Sequence, residues 1–452
     1  MAEMKDSGIE WIGEIPEDWD VIRCKYISTF LNGYAFDSKD LQMDFMYPVI
    51  RIGDIKNGGI DTINCQGVNN NYDIKDYLIK ENDILLAMSG ATVGKVGIAH
   101  NIENAYINQR VGIIRTDCPS YLFYCLSTKE FVEYILLCAN GSAQPNVSAD
   151  VYREFSIPLP PKEIKIKIAD FLDEKCVEID TLHSDIEKQI ETLEEYKKSI
   201  ITEAVTKGLD PDAEMKDSGI EWIGKMPKNW EIKKIKYVTK SINDIEHYMP
   251  NDSEDTDKVP YLMIGDLKDK ISDVDFEKCK HISRKDYKVL SIKGKNNKGD
   301  VIFARYATIG TVMYIDENLD FLVSYACLTI KPQNNIYGKF LFYYFKSKAF
   351  FEDVNQYINT NTQGNIGKES LSKTKIAVPS IRKQQQIVKY LDIKCAEIDG
   401  VIVDKKKQLE TLEQYKKSLI YEYVTGKKEV PDYEWNIDWK AVSTFHHGLS
   451  KK

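Results

Sequence analysis

Residues 4–19 read MKDSGIEWIGEIPEDW, and residues 215–230 read MKDSGIEWIGKMPKNW. A second pair follows each of these opening blocks: FLDEKCVEIDTLHSDIEKQIETLEEYKKSIITEAVTKG at 171–208 and YLDIKCAEIDGVIVDKKKQLETLEQYKKSLIYEYVTGK at 390–427. The text between the shared blocks differs strongly. Weaker echoes survive inside it, such as Arg51-Ile52-Gly53-Asp54 against Met263-Ile264-Gly265-Asp266, and Ala91-Thr92-Val93-Gly94 against Ala307-Thr308-Ile309-Gly310. The inserts are therefore diverged copies of one fold. A chain that keeps its frame and varies its inserts holds two different things in one geometry.

The shared helical segments carry the clearest local signal. Pro160-Pro161 and Pro379-Ser380 mark their starts, and Gly208 and Gly426 their ends. Apolar residues recur at alternating threes and fours. The first segment offers Leu172, Cys176, Ile179, His183, Ile186, Ile190, Leu193, Lys197 and Ile200. The second offers Leu391, Cys395, Ile398, Ile402, Lys405, Leu409, Leu412, Lys416 and Leu419. Such a stripe over four heptads is a coiled-coil seam. A helix exposing it would not be stable alone in water, so the two are expected to pair with each other, antiparallel. The polar intrusions His183, Lys197, Lys405 and Lys416 either fix register or snorkel at the seam edge.

The inserts read as mixed α/β. VGIIRT (111–116) and CLTIKP (327–332) suit strands, and residues 120–137 and 337–352 carry helical spacing; strand order is not legible. The fold class expected is α+β: two pseudo-twofold-related α/β domains separated by an antiparallel coiled coil of two long helices.

Bulk properties narrow the functions available. The chain has 452 residues, enough for two or three domains, and its apolar content of 43% is ordinary. It contains no apolar run of membrane-spanning length and no signal-peptide pattern. The nine cysteines form no CxxC pair, which suits reduced thiols in a cytoplasmic protein. Cys176 and Cys395 occupy equivalent seam positions and read as packing residues. The net charge of −9 argues mildly against nucleic acid, but local patches set the contact field. Residues 278–298, KCKHISRKDYKVLSIKGKNNK, hold eight Lys/Arg against one Asp.

The blocks IADFLDEKCVEID, IETLEEYKKSIITEAVTKGLDP and MKDSGIEWIGEIPEDW resemble the shared regions of type I restriction–modification specificity subunits. The likeness runs nearly the whole chain, to about residue 435. It implies two target-recognition domains, each reading half of a split double-stranded DNA site, with a coiled-coil spacer between them. It also implies assembly with two methyltransferase subunits and, for cleavage, restriction subunits. S-adenosylmethionine, ATP and Mg would belong to those partners, with no cofactor or metal on this chain. The domains expected are 1–160 (first recognition domain with its opening block), 161–209 (central spacer helix), 210–379 (second recognition domain with its block), 380–429 (C-terminal spacer helix) and 430–452 (a frayed tail).

Candidate DNA contacts follow from residue chemistry. In the basic segment, Arg284, Lys285, Lys288, Lys293, Lys295 and Lys298 suit phosphates, which supply affinity rather than sequence choice; an ordinary solvated face is the alternative. Gly90, Thr92 and Lys95 lie on a small-residue loop that permits close backbone approach, or is a tight structural turn. It lacks the spacing of a P-loop. Arg305, Tyr306 and Thr308 occupy the matching loop, where an arginine could read guanine. Asn69, Asn70 and Asn71 could meet adenine edges or form turns. Gln144 and Asn146, with their counterparts Asn361, Gln363 and Asn365, sit in loops just before the long helices. Trp11, Trp19, Trp222 and Trp230 are expected to pack the opening blocks on the helix ends. No adenine-methylation NPPY or DPPY motif and no glycine-rich cofactor fingerprint is present, so the chain is expected to be non-catalytic. A pseudo-symmetric protein scaffold that does not bind DNA is the competing reading.

Overall fold

The computed structural model describes residues 3–43, 45–56, 58–69, 74–139, 145–245, 248–358 and 364–431. The expected tail past 431 and the candidates Asn70, Asn71, Gln144, Asn361 and Gln363 lie outside the described residues. The chain forms two compact units, 1–185 with 407–452, and 186–406. The division falls within the long helices, so each unit owns one head and a stretch of both.

The first unit opens on a hairpin, Met4–Asp6 with Glu14–Pro16. Its head holds an antiparallel four-stranded sheet in the order 96–98, 84–87, 111–116, 28–32. Beside it Tyr47–Ile50 pairs antiparallel with Gly67–Val68 and parallel with Tyr106–Ile107. Strands 84–87 and 111–114 are buried throughout, hence their text without a polar side chain. Helices α1 (Pro119–Leu126), α2 (Lys129–Cys138) and α3 (Ala149–Glu154) follow. Strand Ser156–Leu159, paired with Asp20–Arg23, leads into α4 (Lys162–Lys207).

The second unit repeats this plan. Its sheets run Thr239–Asn243, Cys327–Pro332, Val301–Ala304, Val312–Tyr314, and Lys280–Ser283, Lys258–Leu262, Leu322–Val323. Its helices are α5 (Arg284–Gly294), α6 (Gly338–Phe345), α7 (Lys348–Asn355) and α8 (Lys368–Lys373), and it leads into α9 (Ile381–Val424), whose last turns belong to the first unit. The helical spacing over 120–137 and 337–352 resolves into two helices each time. Thr128 and Ser347 each accept a hydrogen bond from the amide three residues on, from Phe131 and Phe350. An N-cap hydroxyl restarts the helix there, and the periodicity of the side chains does not register the break.

The long helices start and stop where the prolines and glycines indicate. Gly208 and Gly426 adopt φ of +80° and +71°, the left-handed C′ position that glycine occupies without strain. Past each end the opening block closes over the glycine. A Cβ on Gly426 would lie 2.5 Å from Pro16 and 3.0 Å from Trp19; one on Gly208 would lie 3.2 Å from Trp230. Trp19 and Trp230 are buried, and Trp11 stacks on Phe155 with ring centroids 5.2 Å apart. Trp19 and Trp230 thus pack the blocks on the helix ends, while the Trp11 ring lies on Phe155 and Trp222 is half-buried.

Every seam residue is buried or half-buried. In the first unit Phe171 stacks on Tyr423, and Asp180 accepts from Lys416 Nζ at 2.6 and 2.7 Å. In the second, Lys405 donates to Gln189, and Lys197 Nζ lies 2.6 Å from both carboxylate oxygens of Asp399. As α4 advances its partner residue on α9 retreats, so within each unit the pair is antiparallel. Asp180 and Lys197 become Asp399 and Lys416 on a shift of 219 residues. The two ion pairs are therefore one interaction, repeated. The seam lysines thus bond to side chains of the opposite helix, the arrangement that register-setting polar residues require. Burial raises the thiols of Cys176 and Cys395, as expected for packing residues.

Among the described residues no helix is long and apolar enough to cross a membrane.

Candidate nucleic-acid interface

In the first unit, strand 84–87 runs out into a loop whose shape is set by glycine. Gly90 and Gly94 have φ of +76° and +86°, and Gly94 faces Ile135 of α2 at 3.4 Å from where a Cβ would sit. The loop is tied to the segment preceding α3. Gly90 N–H donates to Pro145 O at 3.0 Å, and Val147 N–H to Met88 O at 2.9 Å. Ser89 and Asn146 form a β-bridge. Two candidate regions more than fifty residues apart in sequence thus share one surface, with Asn146 and Lys95 exposed and Thr92 half-buried. Among the described residues the buried hydroxyls of Ser89 and Thr92 have no hydrogen-bond partner. Asn69 is exposed at the end of strand Gly67–Val68, away from this bridge in sequence.

The second unit builds the same junction from different residues. Ile366 N–H donates to Arg305 O at 3.1 Å, and Tyr306 bridges Asn365. Thr308 is exposed. Gly310 takes φ +90°, and a Cβ there would fall 2.5 Å from the Phe351 ring of α7. Ala307 sits at φ +54°, a left-handed conformation that costs a non-glycine residue ~1–2 kcal/mol. Local strain of this kind gathers at sites where the loop shape matters more than its ease.

Arg305 is not an open guanine reader in this arrangement. Its Nη1 donates to Asp244 Oδ2 at 2.8 Å, and its side chain is only 11% exposed. The guanidinium lies 5.1 Å from the Tyr306 ring centroid. Lys368 approaches the other Asp244 oxygen at 3.5 Å. A two-pronged contact to a base requires Arg305 to leave Asp244. Nothing in the local text around Arg305 points to Asp244, which stands 61 residues away.

The basic segment is strand Lys280–Ser283 and helix α5. Ser283 caps the helix, accepting from Asp286 N–H at 3.1 Å and donating to the Asp286 carboxylate at 2.8 Å. Tyr287, interleaved among the lysines in the sequence, turns inward: it is buried and donates to Asp320 Oδ1 at 2.9 Å. Arg284 is also engaged, with Asp257 at 2.9 and 3.1 Å and with Asp320 at 2.7 Å. The Tyr287 hydroxyl, and after it the Arg284 guanidinium, hold the Asp320 carboxyl below its usual range. Arg284 and Tyr287 therefore anchor the helix. Lys285, Lys288, Lys293, Lys295 and Lys298 are exposed.

The fold and its two junctions define an internally duplicated α+β protein: paired heads of one topology, differing in their loops, each joined to a shared pair of antiparallel helices. The model of the type I restriction–modification DNA specificity domain matches the chain twice, over residues 16–192 and 227–411. The chain belongs to that family, and is a type I specificity subunit. Among its relatives, the type I restriction enzyme MjaVIII specificity subunit of Methanocaldococcus jannaschii is 27% identical, over 92% of this chain and 94% of that protein. The EcoKI specificity subunit of Escherichia coli is 20% identical, over 84% and 82%. A chain in a solved structure of the type I R-M system superposes with a TM-score of 0.67, covering 92% of this chain and 99% of that one at 14% identity.

Proposed function

We propose that the chain reads a bipartite, asymmetric DNA site, one half with each head, and that its paired helices set the gap between halves. The observation that carries this reading is the repeated junction: Ser89 with Asn146 in one unit, Tyr306 with Asn365 in the other. Equivalent surfaces bear different side chains, which suits two different half-sequences. The 46-residue α4 is about 69 Å long, a rod on the scale of two turns of duplex.

Two methyltransferase subunits dock on this chain, restriction subunits join for cleavage, and the work is cytoplasmic. S-adenosylmethionine, ATP and Mg are held by those partners, and adenine methylation and cleavage are theirs. The absence of a methylation motif from the sequence supports that division. Tyr196 and Tyr415, equivalent on α4 and α9 and both more than half exposed, offer a partner the same foothold twice.

The test is selection from a pool of randomised duplexes by the full chain assembled with its methyltransferase subunits. A split motif with a fixed gap is expected, with binding that falls steeply as salt rises. Four residues inserted in one spacer helix add about 6 Å and should lengthen the preferred gap by roughly one or two base pairs. Binding that lacks any motif and ignores salt would leave the protein-scaffold reading in its place.

A further inference from the structure

Helix α5 carries an exposed stripe that anchoring does not explain. Tyr287, Leu290 and Gly294 form its buried face. Gly294 is pressed so close to the chain just past strand Thr239–Asn243 that a Cβ would fall 2.4 Å from Ile245. On the opposite face Lys285, Lys288, Val289 and Ile292 fall at the i, i+3, i+4, i+7 spacing of one helical stripe. Val289 is 63% exposed and Ile292 82%. The helix's acidic residue, Asp286, is turned to the Ser283 cap, so the stripe bears no negative charge. Lys293, Lys295 and Lys298 continue the exposed positive charge past it.

In the first unit the strand equivalent to Lys280–Ser283 is Gly67–Val68, which likewise pairs antiparallel with the central strand of its three-stranded sheet. Among the described residues after it comes a single 3-10 turn, Lys75–Tyr77. The stripe therefore belongs to the second unit's own equipment and not to the shared frame.

We propose that α5 is the base-reading helix of the second unit: Val289 and Ile292 contact base edges, above all a thymine methyl, in the major groove, while Lys285 and Lys288 hold flanking phosphates. This rests on the reading above and names the element that carries half of it. The charge decides the occupant. Protein interfaces are depleted in lysine at their centres, whereas DNA interfaces are strongly positive and the major groove admits a helix. Aliphatic side chains recognise the thymine methyl by contact. The ties of Arg284 to Asp257 and Asp320 hold the helix in place beforehand, which limits what must be ordered on binding.

The experiment repeats the duplex selection with Val289→Ala/Ile292→Ala and, separately, Lys285→Ala/Lys288→Ala. The apolar pair should lose preference for thymine at one or two positions of one half-site by about tenfold, with the other half-site intact as an internal control of folding. The lysine pair should weaken binding to all sequences alike and lower the salt slope by about one per lysine. An unchanged motif in both halves with the apolar variant overturns the α5 assignment while leaving bipartite recognition standing. Loss of the methyltransferase subunits from the complex on the same substitution overturns it in favour of a protein-facing stripe. A wild-type complex that selects no motif overturns the recognition reading and this one with it.

Discussion

Exchanging the charges of Lys197 and Asp399 tests whether the seam polar residues specify how the helices meet. Lys197 Nζ sits 2.6 Å from both oxygens of Asp399, with side-chain exposures of 17% and 49%. Solvent reaches the carboxylate, so the pair belongs near the top of the range for exposed ion pairs, about 0.5–1 kcal/mol. Lys197→Asp removes that attraction and sets two carboxylates face to face. Asp399→Lys does the same with two ammonium groups. Each single variant should lose ~1–2 kcal/mol, the lost attraction plus a repulsion of similar size. The double variant restores an opposite-charge pair and should recover to within about 0.5 kcal/mol. For a unit of this size each kcal/mol moves the melting temperature by roughly 2–4 °C. Thermal melts should therefore show drops of ~2–8 °C for the singles, confined to the transition of the second unit, and a near wild-type double. In 1 M NaCl, where the Debye length is about 3 Å, the difference should shrink by half or more. Lys416→Asp should move the other unit's transition instead, because its partner Asp180 lies there. If the double variant were as unstable as the two losses added together, the pair would carry no coupling and the register argument would be wrong.

The remaining expectations concern the heads. Gly310→Ala should cost more than Gly94→Ala in thermal melts: both residues have φ near +90°, but a Cβ at 310 meets Phe351 at 2.5 Å while one at 94 meets Ile135 at 3.4 Å; equal losses would show that φ alone matters. Ala307→Gly should stabilise the second unit by up to ~1 kcal/mol by releasing φ +54°, which a rise in melting temperature would register and a fall would contradict. Tyr343→Phe removes the 2.7 Å hydrogen bond to Asp392 and should cost ~1.5–3 kcal/mol, as for a bond to a charged group; no change in the melt would mean that water replaces it. Because the Asp320 carboxyl is held low in the folded chain by Tyr287 and Arg284, its stabilising contribution is complete above the unfolded value near 4 and fades as pH falls through the lower folded value. Asp320→Asn should flatten that acid limb, and an identical pH dependence of melting in both proteins would remove Asp320 from the account.

The duplicated blocks, the seam and the helix ends were legible in the sequence because each rests on local chemistry. Periodicity of three and four makes a stripe, proline at the first turn fixes φ, and glycine accepts the left-handed C′ residue. The tryptophans could be picked out because they recur at equivalent places in the repeated opening block. Tertiary structure alone decided the strand order, the Ser89–Asn146 and Tyr306–Asn365 junctions, and the partner of Arg305. Those depend on contacts between residues dozens of positions apart, where neither spacing nor composition records which chain segment will arrive. It also decided how the basic segment is divided: Arg284 and Tyr287 are turned to Asp320, and the outward face is left to lysines with Val289 and Ile292. A charge run states how many cations a helix has; the face that packs decides which of them water, or a ligand, can reach.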